Sequence, residues 1–257
     1  MAEGDTILRA ARKLEEAVGG QELSVRAGNG RGRIAGVERL DGRRLDRVEA
    51  RGKHLLLHFG ELLLHSHLGM SGSWQIGRRG EGRKPTSAVW VTLSGEEMEA
   101  VQLGGPTLRV LTATQLRRDP ALARLGPDIL APGFELAAAA RILRASPGRE
   151  LGEALLDQRL IAGIGNIFKS EACFAALASP WRPVAALSDD ELRTVLDSAR
   201  RLMQESVARG RPDAAVYGRA GKPCPACGTP IAARGQGDAN RRTYWCPRCQ
   251  AGESRAK

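Results

Sequence analysis

Apolar positions first recur at helical spacing between Thr6 and Val18, where Ile7, Leu8, Ala11, Leu14 and Val18 fall near one face of a helix. Gly19-Gly20 ends that segment. The pattern then shortens. Apolar stretches at Leu23–Val25, Ile34–Leu40, His54–Phe59, Leu62–Leu68, Ser87–Leu93 and Met98–Leu103 are separated by turn signals, among them Gly60-Glu61 and Ser94-Gly95. This half is expected to be a β-rich sandwich or barrel carrying an N-terminal helix. Pro120, Pro127 and Pro132, with Gly126 and Gly133, mark residues 117–133 as a linker. Helical spacing returns at Phe134–Ala145, Glu150–Gln158, Asn166–Leu177 and Asp189–Ala208, the last opened by Ser188 with acids in the first turn. From Tyr217 onward little helical pattern remains. The expected organisation is α+β: a β-rich domain over 1–116, the linker 117–133, a helical domain over 134–216 and a small cysteine module over 217–250.

Composition narrows the function. With 257 residues and 42% apolar positions the chain can build a real core. No apolar run approaches the roughly 20 residues of a membrane span, and the polar opening Met1-Ala2-Glu3-Gly4-Asp5 does not read as a secretory signal. Net charge is +10, and only six of the 39 cations are lysine. Arginine's planar fork suits phosphate oxygens. Between Tyr217 and Lys257 eight cations meet two acids. A polyanionic partner follows as the leading expectation, against general solubility as the alternative.

Cys224-x2-Cys227 and Cys246-x2-Cys249, eighteen residues apart, have the spacing of a four-cysteine zinc site. Four thiolates leave no open position for water, so the zinc is expected to be single and structural. Cys173, in an apolar helix, reads as packing. Arg241 and Arg242 lie between the cysteine pairs, on the expected hairpin of a metal-stapled ribbon. Gly163-Ile164-Gly165-Asn166 allows either a phosphate-binding helix start or a plain interhelical turn. His54, His58, His65 and His67 crowd into fourteen residues, as rim histidines of a sheet or as a metal cluster. Lys53 opens the strand before them.

Taken in order, these segments resemble the formamidopyrimidine-DNA glycosylase/endonuclease VIII family. Met1-Ala2-Glu3-Gly4-Asp5-Thr6 is similar to the endonuclease VIII-type opening, and Arg51-Gly52-Lys53-His54-Leu55 to the family's lysine strand. His67-Leu68-Gly69-Met70-Ser71-Gly72 resembles the intercalation loop, and Leu125-Gly126-Pro127-Asp128 the linker. Leu155-Leu156-Asp157-Gln158 through Gly163-Ile164-Gly165-Asn166-Ile167 resembles the helix–two-turn–helix motif. Val216-Tyr217-Gly218-Arg219 and the four cysteines resemble the terminal finger.

The resemblance implies a β-sandwich-like domain with an N-terminal helix, then a helix–two-turn–helix domain ending in a zinc finger. It implies a bifunctional glycosylase and abasic-site lyase acting on damaged DNA. After removal of Met1 the terminal amine would be the nucleophile, Glu3 the acid/base, and Lys53 the holder of the sugar-phosphate. Asn166 and Arg241 would grip phosphates, with Arg242 in reserve if the register slips. Met70, with Leu68 beside it, would fill the hole left by base flipping. Glu171 matches a glutamate near the family's active site.

Ala2 stands where the family has proline. Its primary amine can form an imine, yet the change leaves a second reading: a catalytically weak reader of damaged or abasic DNA on the same scaffold. Two departures point toward the endonuclease VIII branch and oxidised pyrimidines: the short bridge Gly210–Val216, and Thr107-Leu108-Arg109-Val110 where the 8-oxoguanine branch has Arg-Arg-Phe-Gly. The Gly69-Met70 pair is closer to the 8-oxoguanine branch. A monomer in the cytoplasm, associated with the nucleoid and not with membrane, is expected.

Overall fold

The computed structural model describes residues 2–28, 30–81 and 87–251. Met1, whose removal the resemblance implies, lies outside the described residues. The chain forms two compact units that meet in sequence at Arg124/Leu125.

The first unit opens with α1 (Gly4–Val18), which buries Ile7, Ala11, Leu14 and Val18, the apolar face that the spacing requires. Then follow β1 (Glu22–Ala27), α2 (Gly30–Ala35), a 3-10 turn (Val37–Leu40), β2 (Arg43–Arg44), β3 (Arg47–Arg51), β4 (His54–Phe59) and β5 (Leu62–His67). The unit continues with β6 (Ser73–Arg78), β7 (Val89–Ser94), β8 (Met98–Leu103), β9 (Thr107–Thr112), α3 (Ala113–Arg118) and α4 (Pro120–Ala123). One five-stranded sheet has the order β2-β1-β7-β8-β6, and one four-stranded sheet the order β3-β4-β5-β9. All the pairings are antiparallel. Leu23, Val25, Val91 and Leu93 of the first sheet share a core with Leu55, Leu57, Phe59 and Leu64 of the second and with α1.

The stretch Ile34–Leu40, expected among the short strands, is helical instead. Val37 and Leu40 are buried three residues apart, one turn's spacing, while Ile34 is 85% exposed. Pro120, expected as a breaker within a linker, is the first residue of α4, where a missing N–H costs nothing. Asp119 caps that helix by accepting from the Ala121 and Leu122 N–H groups.

The second unit packs α5 (Leu136–Arg144), α6 (Leu151–Leu156), α7 (Asn166–Ala175) and α8 (Asp189–Arg209) around Leu143, Leu155, Phe168, Ala172, Leu196 and Met203. Cys173 belongs to this core, as packing requires. Ser188 and Glu191 form a capping box on α8, and Gly210 closes it at φ 83°. A hairpin of β10 (Ala232–Gln236) and β11 (Arg241–Trp245) follows. Among the described residues no helix is long and apolar enough to cross a membrane.

Candidate active site and DNA-binding elements

The start of α1 gathers the first candidates. Ala2 is half-buried, and its nitrogen donates to the Gly69 carbonyl at 3.1 Å. Glu3 occupies the N-cap position of α1 and is buried, so its carboxyl group lies at the positive end of the helix. Asp5, also buried, pairs with Arg9 at 3.2 Å. The chain order Ala2-Glu3 therefore puts the Ala2 backbone nitrogen and a buried carboxyl group at one helix terminus.

The loop that accepts the Ala2 hydrogen bond follows β5. Its neighbours have opposite fates: Leu68 is 2% exposed within the core, and Met70 is 72% exposed. Gly69 has φ 59°, a conformation that lets the chain reverse between them, and a Cβ there would lie 2.8 Å from the Pro106 ring. The Gly72 N–H donates to the Leu68 carbonyl at 2.8 Å. This corrects one sequence expectation: Leu68 is buried in the core and anchors the loop, and of the two residues only Met70 is exposed.

Lys53 is half-buried at the β3–β4 turn, after Gly52 at φ 57°. The outer face of the four-stranded sheet begins beside it. Strand register places Glu49, Leu56, His65 and Arg109 in one row and Arg51, His54, His67 and Thr107 in the next. The Arg109 Nε–H donates to His65 Nδ1 at 3.0 Å, so His65 carries its proton on Nε2. His65 Nε2 lies 2.9 Å from His54 Nδ1 and donates to it, which fixes His54 as the Nε2–H tautomer as well. Arg109 is held in turn by Asp119 at 2.5 Å. Burial opposes the Asp119 charge, but N–H groups of Leu122 and Ala121 and the Arg109 guanidinium keep its carboxyl below the usual range.

Burial, then the neighbouring cations and histidines, hold His54 down to about 4 and His65 to about 3. Both are neutral near pH 7. In the unfolded chain they would titrate near pH 6.5, so below that pH the unfolded state takes up protons the native state refuses. Stability is expected to fall as pH drops from about 6.5 toward 4. Urea midpoints across that window test this. His65→Leu should flatten the slope, and an unchanged slope would contradict the assignment. Glu49 acts lower: the His58 hydrogen bond chiefly, with help from Arg51 and Arg47, holds it to about 2. Its stabilisation is lost as pH falls below the ordinary glutamate range.

No local sequence pattern announces Arg109 as a partner of His65 or Asp119 as the partner of Arg109. His65 and Arg109 are 44 residues apart and meet only through the β5–β9 register. Among the described residues the histidines form no metal-binding group with other ligands; the four cysteines do.

In the second unit, Gln158 fastens the turns between α6 and α7. Its amide donates to the Leu156 and Ile164 carbonyls at 2.9 Å and accepts from the Gly163 N–H at 3.0 Å. Asn166 begins α7 and is almost buried. Its Nδ2 donates to the Arg242 carbonyl at 2.8 Å. One of its two amide hydrogens is thus committed to the finger backbone, so Asn166 docks the hairpin onto the helix. Lys169 and Ser170 continue the stripe at i+3 and i+4. The fully buried Lys169 donates to Thr243 Oγ1 at 2.5 Å, and the Tyr244 N–H donates to Ser170 Oγ at 3.4 Å. Thr243 passes a 2.7 Å bond to Gln236 Oε1, and Gln236 donates to the Pro180 carbonyl at 2.8 Å and to Glu150 at 3.0 Å.

Arg241 and Arg242 are exposed on β11, the strand the cysteine spacing implied. Arg241 shares its strand face with Thr243, which is bonded to α7; Arg242 points from the other face. Glu171, which resembles a family glutamate near the active site, accepts from the N–H groups of Ala215, Val216 and Tyr217 at 2.7–3.0 Å. Burial pushes its pKa up, partly offset by those bonds. Its role here is to fasten the segment that leads into the finger.

The Sγ atoms of Cys224, Cys227, Cys246 and Cys249 all lie within 4.8 Å of one another. Cys227 to Cys246 is 3.5 Å and Cys224 to Cys249 is 3.9 Å. Tetrahedral zinc with bonds of about 2.3 Å sets its sulfurs about 3.8 Å apart, so the four residues fit the ion. The finger's own core is only Val216, Ile231 and two of the cysteines, with Phe174 and Tyr244 at its edge. The cysteines hold a structural zinc ion that replaces the core this segment lacks. Beside it, the Arg234 guanidinium stacks on Trp181 at 4.0 Å, and Trp181 meets Trp245 edge-on at 5.0 Å.

Comparison with known proteins matches both units. Residues 1–103 match the formamidopyrimidine-DNA glycosylase N-terminal domain, 125–216 the formamidopyrimidine-DNA glycosylase H2TH domain, and 221–252 the zinc finger found in FPG and IleRS. The chain is 43% identical to the "Probable endonuclease 8 2" of Streptomyces coelicolor, with 98% of this chain and 95% of that protein covered. It is 39% identical to the "DNA-(apurinic or apyrimidinic site) lyase Nei2" of Mycolicibacterium smegmatis, covering 97% and 99%. The crystal structure of MutM (Fpg) from Thermus thermophilus superposes with a TM-score of 0.81 at 32% identity, covering 98% of this chain and 100% of that one. The chain belongs to the formamidopyrimidine-DNA glycosylase/endonuclease VIII family, in its endonuclease VIII-like branch.

Proposed function

We infer that this protein is a DNA glycosylase and abasic-site lyase of base-excision repair. The observation that carries the reading is the juxtaposition at α1: the Ala2 nitrogen held at Gly69, and Glu3 buried beside it at the helix cap. With Met1 removed, the amine attacks C1′ of the damaged nucleoside. An α-amino group titrates near 7.7–8.0 on average, about right for a nucleophile that must be neutral near pH 7. Glu3 supplies and takes protons on the sugar as the base leaves and the Schiff base forms. Lys53 holds the sugar-phosphate, and exposed Met70 enters the stack when the nucleotide flips. The second amide hydrogen of Asn166 and the guanidinium of Arg241 bind backbone phosphates, with Arg242 available on the opposite strand face.

Oxidised pyrimidines are the favoured substrates, supported by the short Gly210–Val216 bridge and by Arg109, which is occupied with His65 and Asp119. Duplexes carrying one oxidised pyrimidine or one 8-oxoguanine test this. Faster strand cleavage at the pyrimidine is expected; the reverse order would overturn the substrate class. Because Ala2 replaces proline, the alternative is a reader that binds damage and barely cuts. A large gain of cleavage in Ala2→Pro would favour it. On the enzymatic reading the protein works as a monomer on cytoplasmic, nucleoid-associated DNA.

Arg241→Ala is expected to weaken binding to abasic duplex by about tenfold and to reduce the salt slope by about one, with zinc content unchanged. Unmoved affinity would mean that another residue grips the phosphate.

A further inference from the structure

We propose that the Gly69 carbonyl is a catalytic hydrogen-bond acceptor that keeps the Ala2 Schiff base protonated, the condition that lets a primary amine do the work of proline. This rests on the enzymatic reading above and deepens it.

The chemistry differs between the two amines. A proline nitrogen condenses with C1′ to give an iminium with no N–H, which is cationic at every pH. The Ala2 amine condenses with the C1′ aldehyde and one proton, releasing water, to give an iminium that retains one N–H. Loss of that proton leaves a neutral imine, and a neutral imine is a poor electron sink. Strand cleavage needs the sink. A base takes the C2′ proton, and the C2′–H electron pair becomes the C1′=C2′ bond while the C=N pair moves onto nitrogen. The nitrogen pair then restores C=N, the C1′=C2′ pair moves to C2′=C3′, and the C3′–O bond breaks with its electrons leaving on the phosphate.

The structure places an acceptor where this N–H would be. The Ala2 peptide N–H donates to Gly69 O at 3.1 Å, so the amine left at that position once Met1 is removed has the same acceptor within hydrogen-bond range. The acceptor is rigid. Leu68 is buried in the core, its carbonyl is bound by the Gly72 N–H at 2.8 Å, and the Pro106 ring packs against Gly69, which is fixed at φ 59°. A carbonyl accepts and cannot donate, so it favours the protonated iminium over the imine. In the neutral amine the same bond takes one N–H and orients the lone pair.

The test is the pH profile of single-turnover strand cleavage at a preformed abasic site, in four proteins: wild type, A2P, G69A and A2P/G69A. Borohydride trapping is followed in parallel. Wild type should lose cleavage rate on an alkaline limb that A2P lacks. Gly69→Ala places a Cβ 2.8 Å from Pro106 on a left-handed backbone and so displaces the carbonyl. It should move the wild-type limb down by about one pH unit, since a hydrogen bond to a charged group is worth that much. In the A2P background, which has no N–H to hold, it should move no limb. An alkaline limb at the same pH in wild type and A2P overturns the proposal, whether or not the G69A proteins fold. So does a G69A effect equal in both backgrounds. Absence of any trapped adduct at residue 2 would instead sink the enzymatic reading itself.

Discussion

Glu3→Gln is expected to lower base release by about 10²–10⁴-fold, the range of a lost general acid/base, while binding to abasic duplex changes little. The substitution keeps the size of the side chain and one acceptor oxygen, while it removes the charge and the ability to exchange a proton. That distinction matters because Glu3 is buried at the N-cap of α1, a position where a structural carboxylate would also be at home. The two roles separate in paired measurements. Single-turnover release of the damaged base reports the chemistry; equilibrium binding to a stable abasic analogue reports the fold of the site. Loss of both together would make Glu3 a structural cap, and retention of both would remove it from the mechanism.

Zinc removal should produce the largest effect on binding. The finger core is too small to hold its hairpin alone, and the metal supplies the missing free energy of folding. The hairpin is joined to α7 through Asn166, Lys169 and Ser170, all of which bond to residues 242–244 of β11. Stripping the ion, or substituting Cys249→Ser, should therefore release Arg241 and Arg242 together. Affinity for abasic duplex is expected to fall by about 10²-fold, with a salt slope smaller by about two. Tryptophan emission should shift, because Trp245 and Arg234 of the hairpin then leave Trp181. Titration should restore binding at one zinc per chain. Full affinity in zinc-free protein would contradict the assignment.

The sequence carried some of this plainly. Four cysteines in two knuckles state their chemistry through spacing alone, and the structure brings all four sulfurs together. The amphipathic face of α1 and the Ser188 capping box of α8 are local patterns, and both are present as read. Strands β4 and β5, rich in leucine around one glycine turn, were equally visible.

What was not visible depends on neighbours far away in the chain. Leu68 and Met70 differ little as side chains, and only the left-handed turn at Gly69 sends one to the core and the other to solvent. Strand β9 is not legible locally because Thr107–Thr112 shows no clean alternation; its Arg109 is satisfied by His65 and Asp119, from a paired strand and a helix cap. The family resemblance implies a phosphate contact for Asn166, and the two glycines before it allow either a phosphate site or a plain turn. The bond from Asn166 to the Arg242 carbonyl links residues 76 apart, which no local pattern announces. The Ala2–Gly69 bond is of the same kind: the loop's sequence shows a wedge, and only the fold shows that the loop also holds the amine.

The most direct test of the account is borohydride trapping on abasic-site DNA with mass mapping of the adduct. A covalent adduct is expected on the α-nitrogen of Ala2, with Met1 absent from the mapped peptide. An adduct on Lys53, or tight binding with no adduct at all, would contradict it.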